Sequence, residues 1–158
     1  MRLRSLVTVG VALVCVIAFA STASAQDPTG AWKMNPAKSK YSPGPAPKST
    51  TITTTAVAGG GFKSVNEAVP ATGEPTKSEI TWMFDGKDHP VAGNPNADTQ
   101  AYTKVDARHY TVVSKKGGKV TVSSKVELAA DGKSRTTTQS GTDAQGKPVN
   151  NVIWYDKQ

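Results

Sequence analysis

The side chains best placed to do chemistry in this chain gather in one stretch, FDGKDHPVAGNPNAD, residues 84–98. It holds Asp85, Asp88, His89, Asn94, Asn96 and Asp98. Two chemistries suit such a set. Asn94, Asn96 and Asp98 alternate as the first oxygen ligands of a calcium loop do. Asp85 and Asp88 are a carboxylate pair of the kind used in acid–base catalysis. Neither pattern is completed. Thr99 stands where the calcium loop needs glycine, and Val105 where it needs a bidentate carboxylate. The neighbours of Asp85 and Asp88 are polar, so nothing there buries a carboxyl and lifts its pKa toward neutrality. Asp and Asn also bond their own backbone in turns, and a structured turn is the expected role of this stretch.

Other reactive constellations are missing. The two histidines, His89 and His109, fall on different predicted strands, with no H-x-H or H-E-x-x-H spacing to hold a transition metal. No G-x-S-x-G elbow serves a nucleophile, and Gly59, Gly60 and Gly61 lack the following helix that would cradle a phosphate. The sequence therefore predicts no catalytic residue, no metal site and no cofactor, and a protein that is not an enzyme.

The elements that would position any site come after an export signal. Residues 1–25 pair Arg2 and Arg4 with the apolar run LVTVGVALVCVIAFA and an A-x-A site at Ala23, Ser24 and Ala25. That run is short for a membrane span, so the expectation is cleavage, no stable membrane insertion, and a periplasmic or secreted product. The sole cysteine, Cys15, leaves with the signal. The domain, residues 26–158, then has neither disulfides nor thiol chemistry and must be stabilised by packing. Lys and Arg number 19 against 12 Asp and Glu, a net charge of +7 that becomes +5 without Arg2 and Arg4. The lysines are scattered, so the footprint of a nucleic-acid-binding protein is absent.

From residue 48 onward the chain alternates apolar and polar positions with the period of half-buried strands. In KVTVSSKVEL, Val120, Val122, Val126 and Leu128 share one face. Ile80, Trp82 and Phe84 do so in EITWMF, and Tyr110 and Val112 in HYTVV. FDGKD, KKGGK, ADGKS and AQGKP each place glycine at a tight reversal between such runs. About nine or ten strands are expected, near 29–35, 49–58, 61–70, 77–84, 88–92, 98–106, 109–116, 119–129, 134–142 and 148–156. Any helix is short and lies near Pro36 to Lys40. Pro43, Pro45 and Pro47 mark an extended crossover from the first strand to the second. The threonines of TTITTT and RTTTQS are expected on a soluble outer face. The fold class is thus all-β, a single antiparallel meander closing into a barrel of about 8–10 strands, with a β-sandwich as the alternative.

The segments TGAWKMNPAKSKYSPGPAPKS, FDGKDHPVAGNPNADT, KKGGK and GTDAQGKPVNNVIWYDK resemble a group of small exported bacterial proteins of unknown function with lipocalin-like, calycin-type barrels. The resemblance implies the barrel and names no ligand. In lipocalins proper, the tryptophan of G-x-W, here Trp32, packs against an arginine near the last strand. PVNNVIWYDKQ offers only Lys157, while Arg108 and Arg135 lie elsewhere, so Trp32 is expected to lack that partner. The two-helix lid and paired arginines of the fatty-acid-binding relatives are missing too.

Two functions follow. In one, the barrel binds a small hydrophobic or amphipathic molecule, with Trp82, Phe84, Tyr110 and Trp154 as candidate ligand-binding residues. These aromatics serve equally as ordinary core, and the inward face of Tyr102 and Trp154 is ambiguous because both alternations in their strands contain apolar residues. In the other, a filled core leaves an envelope accessory protein that acts through its surface on a partner the sequence does not name. A cavity of several hundred Å³ would separate the two.

Overall fold

The computed structural model describes residues 27–158, and these described residues form eleven strands and no helix. The export signal expected over residues 1–25 lies outside the described residues. The strands are β1 (Gly30–Met34), β2 (Lys40–Ser42), β3 (Ser49–Val57), β4 (Gly61–Val69), β5 (Thr76–Trp82), β6 (Asp88–Ala92), β7 (Thr99–Lys104), β8 (His109–Lys116), β9 (Lys119–Leu128), β10 (Ser134–Thr142) and β11 (Pro148–Lys157). From β3 to β11 each strand pairs antiparallel with the next, and β1 pairs with both β3 and β11. The meander is therefore a closed ten-strand barrel, not a sandwich.

β2 is the addition that periodicity missed. It lies on the same edge of β11 as β1, with Tyr41 opposite Asn151 while Met34 stands opposite Tyr155. The first strand is thus one strand broken by residues 35–39. The break is a turn rather than a short helix. The backbone amide of Asn35 donates to the Trp154 carbonyl, and the Ser39 hydroxyl takes up the Trp154 amide at 3.0 Å. The ladder is bridged across the interruption, and the proline-rich crossover then runs to β3.

Closure depends on Trp32. Its ring is fully buried, and its Nε1 donates to the Pro28 carbonyl at 2.9 Å. Its backbone faces Ile52 on one side and Lys157 on the other. Met34, the next inward residue, is buried as well. On the outside of this seam Asp156 accepts hydrogen bonds from Asn35 Nδ2 at 2.7 Å and Trp154 Nε1 at 2.8 Å.

The loops divide between two ends. One end carries the chain terminus and the turns before β4, β6, β8 and β10. Trp32, Phe84, Leu128 and Tyr110 pack there, so this end is the floor. The other end carries the crossover before β3 and the loops before β5, β7, β9 and β11, and is the mouth. Between β8 and β9 the register slips, because Ser114 faces Val122 while Lys115 faces Val120. The extra residue, Thr121, turns inward and is buried. Val120, expected inside with Val122, is consequently turned out and exposed.

Two outcomes follow. Trp32→Ala removes the most buried ring of the seam and should cost about 3–5 kcal/mol, read as a fall in the denaturant midpoint. Asp156 is held below the usual carboxylate range by its bonds from Asn35 and Trp154, with the Lys38 charge adding to them. A depressed folded pKa contributes stability that is present above the unfolded value of 3.8 and lost as pH falls through the lower folded value. Asp156→Asn should therefore lower Tm at pH 7, with the gap to wild type narrowing in acid below that value.

Candidate functional site

The barrel interior is not filled. A cavity of about 340 Å³ runs from the mouth to the floor. Its floor is aromatic: Trp82 and Tyr102 stack with ring centres 4.0 Å apart, and Tyr110 lies 6.3 Å from Trp82. Strand geometry sets this stack, since Trp82 on β5, Tyr102 on β7 and Tyr110 on β8 are inward positions of one stretch of wall, in which only the short β6 separates β5 from β7. Its middle is polar, with Asn66, Gln100, Ser114, Ser124, Gln139 and Asn151 among the residues lining it. The threonines expected on the exterior are divided between the faces. Thr50 and Thr54 are buried and Thr137 lines the cavity, because a period-2 strand of threonines must show half of them to each side.

Most of these polar groups are already paired. Trp82 Nε1 donates to Ser64 Oγ at 2.9 Å, which also bonds Thr54 Oγ1 at 2.9 Å. Tyr102 donates to Gln100 Oε1 at 3.0 Å, and Gln100 Nε2 donates to Ser114 Oγ at 3.0 Å. Asn151 Nδ2 reaches Gln139 Oε1 at 3.1 Å. Burial pushes the Tyr102 and Tyr155 hydroxyls above their ordinary values, with the Arg135 charge opposing that rise in both cases. They therefore remain protonated donors.

Arg135 on β10 is the residue that sequence reading set aside. It is only 5% exposed, and its guanidinium lies 4.8 Å from the Trp32 ring centre and 5.0 Å from that of Tyr155. Trp32 therefore does have an arginine partner, supplied by the strand before the last, with Lys157 over the same ring at 5.1 Å. The expectation had looked for it only along β11. Arg135 faces Tyr155 directly in the ladder, and that register could not be known beforehand. It lines the cavity, with Nη1 donating to the Tyr110 hydroxyl at 3.4 Å, while Nε is enclosed and has no partner.

Of the candidate ligand residues, Trp82 and Tyr110 line the cavity. Phe84 lies below them, 5.0 Å from Trp82 and 5.4 Å from Tyr110, packing the floor from beneath without lining the cavity. Trp154 is on the outer face, because Ile153 and Tyr155 take the inward positions of β11. Its ring is covered by Lys38 at 4.7 Å instead. The structure thus brings together Trp82 and Tyr110, adds Tyr102, Tyr155 and Arg135, and separates Trp154 from them.

The stretch 84–98 is divided between the ends. Asp85 accepts from the Lys87 amide at 3.0 Å and bonds His89 Nε2 at 2.9 Å, while Asp88 pairs with Lys115 at 2.8 Å. The bond to His89, seconded by the Lys87 amide, holds Asp85 below the usual carboxylate range, opposite to what a general acid needs at neutral pH. Residues 93–98 fold over the mouth. Gly93 takes a φ of +75°, and a side chain there would overlap the Lys77 carbonyl. Asn94 Oδ1 accepts the Asn96 amide, Asn96 Oδ1 accepts the Ala144 amide at 3.4 Å, and Asp98 Oδ2 accepts the Gly117 amide at 2.8 Å. The oxygens that suggested a calcium loop are spent on backbone, and they tie the loop to the two neighbouring hairpins. Ala97, 1% exposed, plugs the opening.

No protein-family model and no curated protein matches the chain. Among solved structures, the wild-type fluorescent protein UnaG matches with a TM-score of 0.52 at 16% identity, over 82% of this chain and 96% of that one. A point mutant of the same protein matches with a TM-score of 0.52 at 18% identity, over 82% and 95%. At such identities the likeness shows the fold alone, a calycin-type barrel of the fatty-acid-binding-protein-like kind.

The placement of the three tryptophans has a direct optical consequence. Trp32 and Trp82 are inside and Trp154 is partly exposed. Acrylamide quenching should therefore act almost wholly on Trp154. Trp154→Phe should flatten the quenching slope, and Trp82→Phe should leave it in place.

Proposed function

We propose that this is an exported, non-enzymatic binding barrel that takes one small amphipathic molecule into its interior. The observation that carries the reading is the cavity of about 340 Å³, which falls within the range of ligand pockets and is bounded by aromatic rings below and polar groups above. Binding needs only what the interior supplies: apolar rings to receive a ring or short chain, and fixed donors and acceptors to orient its polar end. The surface-acting alternative assumed a filled core, and this interior is not filled. Export rests on the signal-like residues 1–25 and would place the protein in a periplasm or outside the cell. The non-enzymatic reading is supported by the lowered Asp85 carboxyl and by a lining whose polar groups are mostly neutral amides and hydroxyls.

The mouth fits this reading. The 93–98 loop is held by a few hydrogen bonds to adjacent turns, so entry requires only that this loop lift while the barrel wall stays paired. Thr137 sits midway along β10 with its side chain in the cavity, whereas Thr136 faces out opposite Trp154.

Native mass spectrometry of protein purified from its own host should show a bound small molecule, and fatty acids, retinoids and quinones can be titrated against the Trp82 emission. Thr137→Phe fills the cavity and should abolish binding at a stability cost of about 1–3 kcal/mol, while Thr136→Phe should leave binding unchanged. A protein that carries nothing from its host and responds to no compound is not a carrier.

A further inference from the structure

Arg135 is a guanidinium in an interior that gives it no counter-charge. Among the described residues none of the ion pairs includes it. The one carboxylate in the cavity lining, Asp143, is at the mouth, where Oδ1 is taken by the amides of Gln145 and Lys147. One ring face each of Trp32 and Tyr155 and a long bond to Tyr110 support the Arg135 charge, yet Nε stays unpaired. An arginine cannot shed its proton to escape this. A buried cation without counter-charge whose side chain lines a cavity is stabilised by an anion that arrives from outside.

The wall above Arg135 restricts what that anion is attached to. Asn66 lines that wall, its Oδ1 enclosed without a donor. Gln100, Gln139 and Asn151 line the same space with polar amide groups. An acyl chain laid along them would take these groups from water and pair none of them. A molecule carrying hydroxyl or amide groups satisfies them.

From this geometry we infer that the cavity is specific for a small organic carboxylate bearing further hydroxyl or amide groups, its carboxylate seated on the cavity-lining guanidinium of Arg135 and the Tyr110 hydroxyl, and its polar body against Asn66, Gln100, Gln139 and Asn151. The inference rests on the binding reading above and narrows it, because it excludes simple lipids as the preferred cargo.

The test pairs each acid with its primary amide. Thermal shifts and calorimetric titrations are run with 4-hydroxycinnamate and gluconate, each beside its amide, and with decanoate as the acyl-chain comparison. In the wild type at least one hydroxylated acid should bind about ten- to a hundredfold tighter than its own amide, and tighter than decanoate. Arg135→Gln should erase the acid–amide difference, and Arg135→Lys, which keeps the charge and loses the planar fork, should fall between. Near-UV circular dichroism reports whether Arg135→Gln retains the packed aromatic floor. Where it does not, the wild-type preference and Arg135→Lys decide the matter. Equal binding of acid and amide, tightest binding of decanoate, or a preference that survives in folded Arg135→Gln overturns the carboxylate subsite and leaves the binding barrel standing. No response to any of the five compounds, together with no ligand carried from the host, removes both.

Discussion

The pairing of β1 with β3 on one side and β11 on the other, around the buried Trp32 ring, is the constraint on which the rest of the molecule depends. A meander of nine successive hairpin-linked strands has two free edges, each a row of unpaired amides and carbonyls open to other chains. β1 joins them, and it is short. Only five residues, Gly30–Met34, make the join before the chain breaks at Asn35. Their hold comes from side chains as much as from ladder bonds: Trp32 filling the floor, Arg135 and Lys157 flanking its ring, and Asp156 gathering Asn35 and Trp154 on the outside. Opening this seam would free both edges and expose the aromatic floor together.

Closure also creates the interior, and its contents differ from those of an ordinary core. A small barrel can fill itself with branched apolar side chains. Here many inward positions carry Ser, Thr, Asn or Gln, which are smaller or shorter than the residues that would fill the space, and the result is a cavity. Much of its polar lining is internally bonded, so the walls are preorganised rather than free to collapse. Arg135 links structure and site in one side chain. Its guanidinium packs on the closure tryptophan, and the same side chain lines the cavity floor. The mouth is covered by the loop that looked most reactive in sequence, whose oxygens serve to fasten it across neighbouring hairpins.

Much of the architecture was legible because it follows from local rules. Period-2 alternation and Gly-containing reversals located all ten barrel strands, and the three prolines marked the crossover. What was not legible depends on long-range register. A one-residue bulge at Thr121 turned Val120 outward, since any slip of one position exchanges the faces of a strand. Trp154 sat in a strand apolar on both alternations, and only the burial of Ile153 and Tyr155 decides its direction. The tripeptide Gly30-Ala31-Trp32 pointed correctly to a barrel. Its arginine stayed hidden because Arg135 is separated from it by most of the chain and reaches it only once β10, β11 and β1 lie side by side. The polar interior was missed for a simpler reason: threonine-rich strands read as exterior, although alternation sends half of every such run inward.

The central claim is that the seam arginine is also the floor of an unfilled, polar, anion-seeking cavity. A crystal structure of the protein purified from its own host tests it most directly, read for electron density against the Arg135 guanidinium and the hydroxyl of Tyr110. The account predicts a bound molecule there with an acidic group in hydrogen-bond contact with the guanidinium, beneath an intact Trp32 stack. An interior collapsed onto apolar side chains, or an Arg135 satisfied by a protein carboxylate, would contradict it.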